Sequence, residues 1–302
     1  MAVLVRLLLV ALTFVLIVVL SQVALVSART RLERADVPTI VQQAWEGTSD
    51  YFTSLASGSL GEATSTSILG GQRRAMGQLL LDAYTKSIVL VLLAVGLAAL
   101  VGIVVGVLAA ASRRARIRAV LLTLTTLTVS LPSFLLAILL ILGGAEVNAR
   151  FGLRLWPTFG FGLDDHLIVP VLVLAARPFA QIANFAYVAI EDVLTLDYIR
   201  TARAKGLVES VIVARHALAN AAVPIIGAVA TGLSIALSTL PVVEVFFSWP
   251  GLGFALLQAI RRFDAATTGT LLGSLAATIA IVRFGLDSLA GHFAHRATGT
   301  PG

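Results

Sequence analysis

The sequence predicts an all-α polytopic membrane protein with about six transmembrane helices. Three observations lead there. Of 302 residues, 58% are hydrophobic and only 13% charged, with a mean hydropathy of +0.96, more apolar surface than a soluble domain can hide. The apolar residues gather into runs long enough to span a bilayer, which needs about 20 residues. Finally, charge is concentrated in short segments between those runs. The net charge of +6 and pI near 10.5 raise nucleic acid as a ligand. The basic residues, however, lie beside apolar runs and form no stripe interleaved with aromatics, so no nucleic-acid partner is expected. The chain contains no cysteine, which excludes disulfides, thiol nucleophiles and cysteine-held metal.

In chain order, residues 7–26 follow Arg6 and read as a retained first span, longer than the core of a signal peptide. Ser27-Ala28 is a weak small-residue cleavage signal. Residues 30–80 are the polar part of the chain, where Trp45, Tyr51 and Phe52 either pack a small subdomain or sit at headgroup level. The second span is 83–111, with Gly96, Gly102 and Gly106 allowing close helix contact. Ser112–Arg118 carries four arginines in seven residues and reads as a short cytoplasmic loop. The third span, 119–143, contains Ser130-Leu-Pro-Ser133; its proline marks either a packing kink or a pore-lining bend. An outer loop, 144–166, holds Trp156 as an interface anchor.

The fourth span, 167–190, carries Arg177, Gln181 and Asn184. Their i, i+4, i+7 spacing puts them on one face, and polar residues inside a span usually face a bundle interior or a wet cavity. That face is a candidate translocation path. The alternative is that Arg177 snorkels to the outer surface. The fifth span is 221–243, and Glu244–Gly253 reads as a re-entrant or outer turn broken by Pro and Gly. Arg261, Arg262 and Asp264 precede the sixth span, 265–290.

Between the fourth and fifth spans lies a basic island. Tyr198–Lys205 contains no Gly or Pro and reads as a helix, with Gly206 at its left-handed C-cap. Small Ala202 and Ala204 let another surface approach, while Arg200, Arg203 and Lys205 supply charge. Leu207, Val208, Val211 and Ile212 predict a second short helix along the membrane face. On periodicity alone, an ordinary solvated loop explains the island equally well.

Asp197–Leu207, Arg215–Asn220 and Pro224 resemble the cytoplasmic EAA loop of ABC-importer permeases, in particular the dipeptide/oligopeptide/nickel branch. That branch reads D-Y-V-R-T-A-R-A-K-G-L, then R-H-A-L-x-N-A and P. Arg200 and Thr201 stand where the general motif has Glu and Ala; Ala202 and Gly206 fit. Glu244-Val-Phe-Phe-Ser-Trp-Pro-Gly-Leu-Gly253 is similar to the branch's V-E-x-x-F-S-W-P-G-L-G. Gly58-Ser-Leu-Gly61 resembles its Gly-Asp-Leu-Gly with Ser59 for the acid. The branch's Pro-Gly-Asp-Pro after the first helix and its terminal Asp-Pro-Arg are absent. Asn184 and Tyr187 replace arginines near the inner end of the fourth helix. The resemblance covers most of 79–289.

The resemblance implies a type I ABC-importer permease fold and a subunit that moves a small solute, most readily peptides, across the cytoplasmic membrane. It assigns Asp197, Tyr198, Arg200, Thr201, Ala202, Arg203, Ala204, Lys205, Gly206 and His216 to ATPase coupling. Glu244 and Trp249 join Arg177, Gln181 and Asn184 as path residues. Implied partners are a second permease subunit, two ATPase subunits and an extracytoplasmic solute-binding protein, besides membrane lipid. No cofactor is expected in this chain, since ATP would be bound by the partner subunits. There is no G-x-x-x-x-G-K-[ST], H-E-x-x-H or G-x-S-x-G, and His166, His216, His292 and His295 form no metal cluster. No catalytic or metal-binding residue is therefore expected.

The expected organisation is a first helix at 1–28, an extracytoplasmic region at 29–82, a five-helix core at 83–290 with its coupling loop at 191–220, and a cytoplasmic tail at 291–302. Six spans put both termini on one side; lysine and arginine counts do not settle which side, the dense Ser112–Arg118 loop favours the cytoplasm, and the resemblance implies it. The alternative function is a stand-alone secondary transporter or channel, for which Arg177, Arg283 and Asp287 are the only coupling charges. A non-transporting membrane scaffold is the third reading.

Overall fold

The computed structural model describes residues 2–33, 36–57, 76–153, 156, 160–262 and 264–298. The Gly58–Gly61 motif and Arg34, Arg73, Arg74 and Arg154 lie outside the described residues. The described secondary structure is helical throughout: α1 (Ala2–Glu33), α2 (Val37–Ala56), α3 (Met76–Ala111), α4 (Ala115–Ser130), α5 (Ser133–Phe151), α6 (Ile168–Leu194) and α7 (Asp197–Ala204). A turn of α-helix, α8 (Glu209–Val211), then a π-helical segment Ile212–Ala217 and α9 (Leu218–Asn220) lead to α10 (Ala222–Phe247). The chain closes with α11 (Leu252–Arg261) and α12 (Ala265–Thr298).

Among the described residues, five helices are long and apolar enough to cross a membrane: Ala11–Ala28 within α1, then Met76–Ala111, Ser133–Phe151, Asp165–Leu194 and Ala222–Phe247. The expected sixth span falls in α12, whose apolar stretch Thr267–Val282 is shorter. Residues expected to form a tail after 290 continue that helix to Thr298.

The expected third span is two helices. Pro132 has no N–H to donate and pushes Leu131 into extended backbone (ψ 124°), which stops α4. Helix α5 then runs past the expected span end at 143 to Phe151, where Gly152 caps it with φ +66°. Trp156 packs on Gly144, where a Cβ would come within 2.6 Å of Nε1. The indole is therefore tucked against α5.

The chain divides into two compact units. The first comprises Met1–Ile88 and Glu244–Phe284. Here α1 packs on α2, whose buried face is Ala44, Thr48 and Tyr51 at helical spacing. Of the aromatics in the polar region, Tyr51 is thus core, while Trp45 is 74% exposed. A separate core forms where Met76, Leu79 and Ala83 of α3 meet Leu252, Ala255, Leu256 and Ala259 of α11.

The second unit comprises Val89–Val243 and Gly285–Gly302. Helices α4 and α5 pack on α6, and α3 approaches the same helix through two glycines. A Cβ on Gly102 would lie 2.9 Å from the Phe179 carbonyl, and one on Gly106 would lie 2.6 Å from that of Ala183. Only glycine permits that spacing. Gly96 faces open space and plays no part in the contact.

Candidate transport and coupling sites

The basic island folds as a short helix on an apolar base. Ile199 and Ala202 of α7 are buried with Ile212, and Val193 and Leu194 at the end of α6 pack against them. The remaining face is open: Tyr198 is 43% exposed, and Arg200, Thr201, Ala204 and Lys205 are exposed. Ala202 supports the helix from beneath and is not itself presented. Arg200 pairs with Asp197 one turn earlier at 3.3 Å, an exposed pair that contributes little.

Gly206 ends the helix with φ +80°. The Lys205 N–H donates to Thr201 O at 3.0 Å and the Leu207 N–H to Ala202 O at 3.3 Å, satisfying carbonyls that the helix leaves open. The second helix starts at Glu209, later than periodicity implied, so Leu207 and Val208 are exposed linkers. His216 lies in the π-helical segment, and its carbonyl accepts from Asn220 Nδ2 at 2.7 Å.

The Glu244–Gly253 turn is built around a buried carboxylate. Glu244 is 0% exposed. Its Oε1 accepts from Ser87 Oγ at 2.5 Å, and its Oε2 accepts from the N–H groups of Gly253 at 2.6 Å and Phe254 at 3.3 Å. Ser87 Oγ in turn accepts from the Leu252 N–H at 2.9 Å. Glu244 and Ser87 together cap the first turn of α11, where open N–H groups and the helix dipole both favour an anion. Trp249 is also 0% exposed and donates from Nε1 to Lys86 O at 3.2 Å.

Of the expected path residues, Arg177 is exposed on α6, and Gln181 and Asn184 are half-buried. Asn184 Oδ1 accepts from Thr125 Oγ1 of α4 at 2.9 Å. These three belong to the second unit, whereas Glu244 and Trp249 belong to the first and are enclosed within it.

Residues 102–299 match the family model described as binding-protein-dependent transport system inner membrane component. The chain belongs to this family. It is the non-catalytic, multi-pass inner-membrane permease of an ABC transport system, with the type I permease fold that the sequence predicted. Membership sets aside the stand-alone transporter and scaffold readings. The permease is 32% identical over 265 residues to the di/tripeptide transport system permease protein of Pseudomonas aeruginosa, covering 80% of this chain and 77% of that one. It is 37% identical over 171 residues to the dipeptide transport system permease protein of Bacillus subtilis, covering 57% and 54% of the two chains. It is also 30% identical over 244 residues to the putrescine export system permease protein of Escherichia coli, covering 71% and 76%.

Two functional candidates in the permease escaped sequence reading. Ser87 reads as an unremarkable small residue inside an apolar run, and nothing local points to Glu244. Glu209 follows the coupling helix and accepts from Arg203 Nη2 at 2.7 Å and Nε at 3.3 Å, and from Arg113 Nη2 at 3.3 Å. The Arg203 bonds, chiefly, hold the Glu209 carboxyl below its ordinary value against the opposing effect of burial, and Glu209 raises the Arg203 guanidinium. The only cue was an acid set among arginines.

Proposed function

We propose that the permease imports small peptides, with the face of α7 bearing Tyr198, Arg200, Thr201 and Lys205 receiving an ATPase subunit. The observation that carries this is the short helix fixed by its apolar side, closed by a positive-φ glycine and open on its polar side. Binding of ATP by the ATPases changes the bundle only if they hold its two states differently, and a rigidly seated helix can convey that difference. The assembly comprises a second permease subunit, two ATPase subunits and an extracytoplasmic solute-binding protein. Exposed Leu92, Leu100 and Leu139 on the spans meet membrane lipid. Both termini and the 191–220 loop lie in the cytoplasm, and 29–82 lies outside.

Arg177, Gln181 and Asn184 border the path in this reading. Glu244 and Trp249 fix α11 and do not line the path, because neither offers surface to a solute. The peptide cargo draws support from the names of two relatives, whereas the export relative supplies the contrary case. Proteoliposomes carrying the purified assembly decide the matter. The proposal expects inward accumulation of radiolabelled dialanine that requires ATP and the binding protein. ATP-driven movement of putrescine alone, or ATP-independent flux, would contradict it.

A further inference from the structure

The Arg203 guanidinium sits where three segments meet. Its Nη2 and Nε grip the two oxygens of Glu209 at 2.7 and 3.3 Å, while Nη1 donates to the carbonyl of Leu194, the last residue of α6, at 3.4 Å. Glu209 opens the helical run that continues into α10. Beneath the pair, Ile199 and Ala202 rest on Ile212. The coupling helix is therefore held to the end of one span and the approach to the next by an apolar contact on one side and an ionic one on the other.

We propose that the Arg203–Glu209 pair is the joint that carries displacement of α7 into α6 and α10. In this view Arg203 is a positioning residue and not a docking contact. The inference rests on the reading of α7 as the ATPase-docking helix. A two-point guanidinium–carboxylate contact fixes orientation as well as distance, which a lysine in the same place cannot do. The side chains are 40% and 28% exposed, sheltered enough for this geometry to outweigh the small value of a fully solvated pair. Arg113 braces Glu209 from the loop between α3 and α4, but its side chain is 85% exposed, so its share is minor.

Hydrogen exchange in the full assembly, nucleotide-free and trapped with ATP and vanadate, tests the joint without needing to know the cargo. In the unsubstituted protein, trapping should change exchange in 197–206 and, with it, in 190–196 and 209–217. In Arg203→Lys and Glu209→Gln the change in 197–206 should persist, while the response of the two flanking segments falls by at least about threefold. The Arg203→Glu/Glu209→Arg double variant should recover part of it, which a loss of packing alone would not allow. ATPase co-purification reports assembly in the same samples, and Glu209→Asp, which keeps the charge and shortens the reach, replaces any variant that does not assemble. Flanking segments that respond equally in the variants, or not at all in the unsubstituted protein, overturn the joint. If 197–206 is itself indifferent to the ATPase, the docking reading fails first.

Discussion

Ser87 and Glu244 stand 157 positions apart in the chain, and their side chains meet at 2.5 Å in the interior of the first unit. The contact joins the beginning of α3 to the end of α10, and through Glu244 Oε2 it also fixes the first turn of α11. The carboxylate accepts three bonds, so its removal leaves three donors without an acceptor. Glu244→Ala should therefore cost at least about 3 kcal/mol, since each buried donor left unmet costs about 1–3. Glu244→Gln preserves the shape and can keep an oxygen on the Gly253 and Phe254 N–H groups, but it loses the charge and must reverse the Ser87 bond, and should lie between. Thermal unfolding of the purified assembly, with membrane abundance alongside, checks the order. Equal stability of all three proteins would show that the contact does not hold the turn.

Gly251 gives an independent test of the same latch by volume. A Cβ there would lie 2.5 Å from Ser87 Oγ and would overlap the Glu244 carboxylate. Gly251→Ala should therefore lower stability and uptake per molecule together, while Ser87→Ala, which removes the bond to Glu244 and the one from the Leu252 N–H without adding volume, should be milder, at about 1–3 kcal/mol. If Gly251→Ala behaves like the unsubstituted protein, the turn has room that the structure does not show.

Gly206 separates conformation from contact. Nothing lies within 4 Å of a Cβ built on it, so substitutions act through φ alone. Asn tolerates the left-handed region better than Ala, and β-branched Val is the worst of the three. ATP-driven uptake should therefore fall in the order Gly, Asn, Ala, Val, with a cost of about 1 kcal/mol for Ala and membrane abundance little changed. Uptake that is the same for Asn and Val would mean the cap does not set the helix.

These sites show where the sequence was readable. The limits of α7 and its glycine cap were legible because capping is local: helix formers, then one residue suited to φ > 0. The spans were legible by length and hydropathy, except where Pro132 split one into α4 and α5 and where the apolar stretch of α12, Thr267–Val282, falls short of the expected sixth span. The helix Val37–Ala56 went unread because the segment looks polar overall, although Ala44, Thr48 and Tyr51 mark one buried stripe. The roles of Ser87, Glu244 and Glu209 were closed to a local reading, since each depends on a partner brought near by the fold. Trp249 reads as a path residue from the resemblance, and its burial likewise follows from packing.

Acid should loosen the Arg203–Glu209 pair, and only acid. The Arg203 bonds, and to a smaller extent Arg113, hold Glu209 below its ordinary 4.5. A depressed folded value means the stabilisation is complete above the unfolded value and is lost as pH falls through the folded one. Protection from exchange in 190–217, taken relative to the intrinsic amide rate at each pH, should stay constant from about pH 8 to about pH 5.5 and fall below about pH 4.5. Glu209→Gln should lack that acid step. Loosening that already begins near neutrality would assign the pH response to another group.

If the open face of α7 receives the ATPase, thiols placed on it will cross-link to that subunit. The chain has no cysteine of its own, so Lys205→Cys and Arg200→Cys introduce single reactive thiols on exposed positions of that face. With a short thiol-to-amine reagent, both should cross-link to the ATPase subunit in the assembled transporter, and the yield should differ between nucleotide-free and vanadate-trapped states. A control thiol at Leu139, on the exposed flank of α5, should not cross-link. Free access of a membrane-impermeant thiol reagent to these α7 positions from outside intact cells, or cross-links to the ATPase no more frequent than at Leu139, would contradict the account.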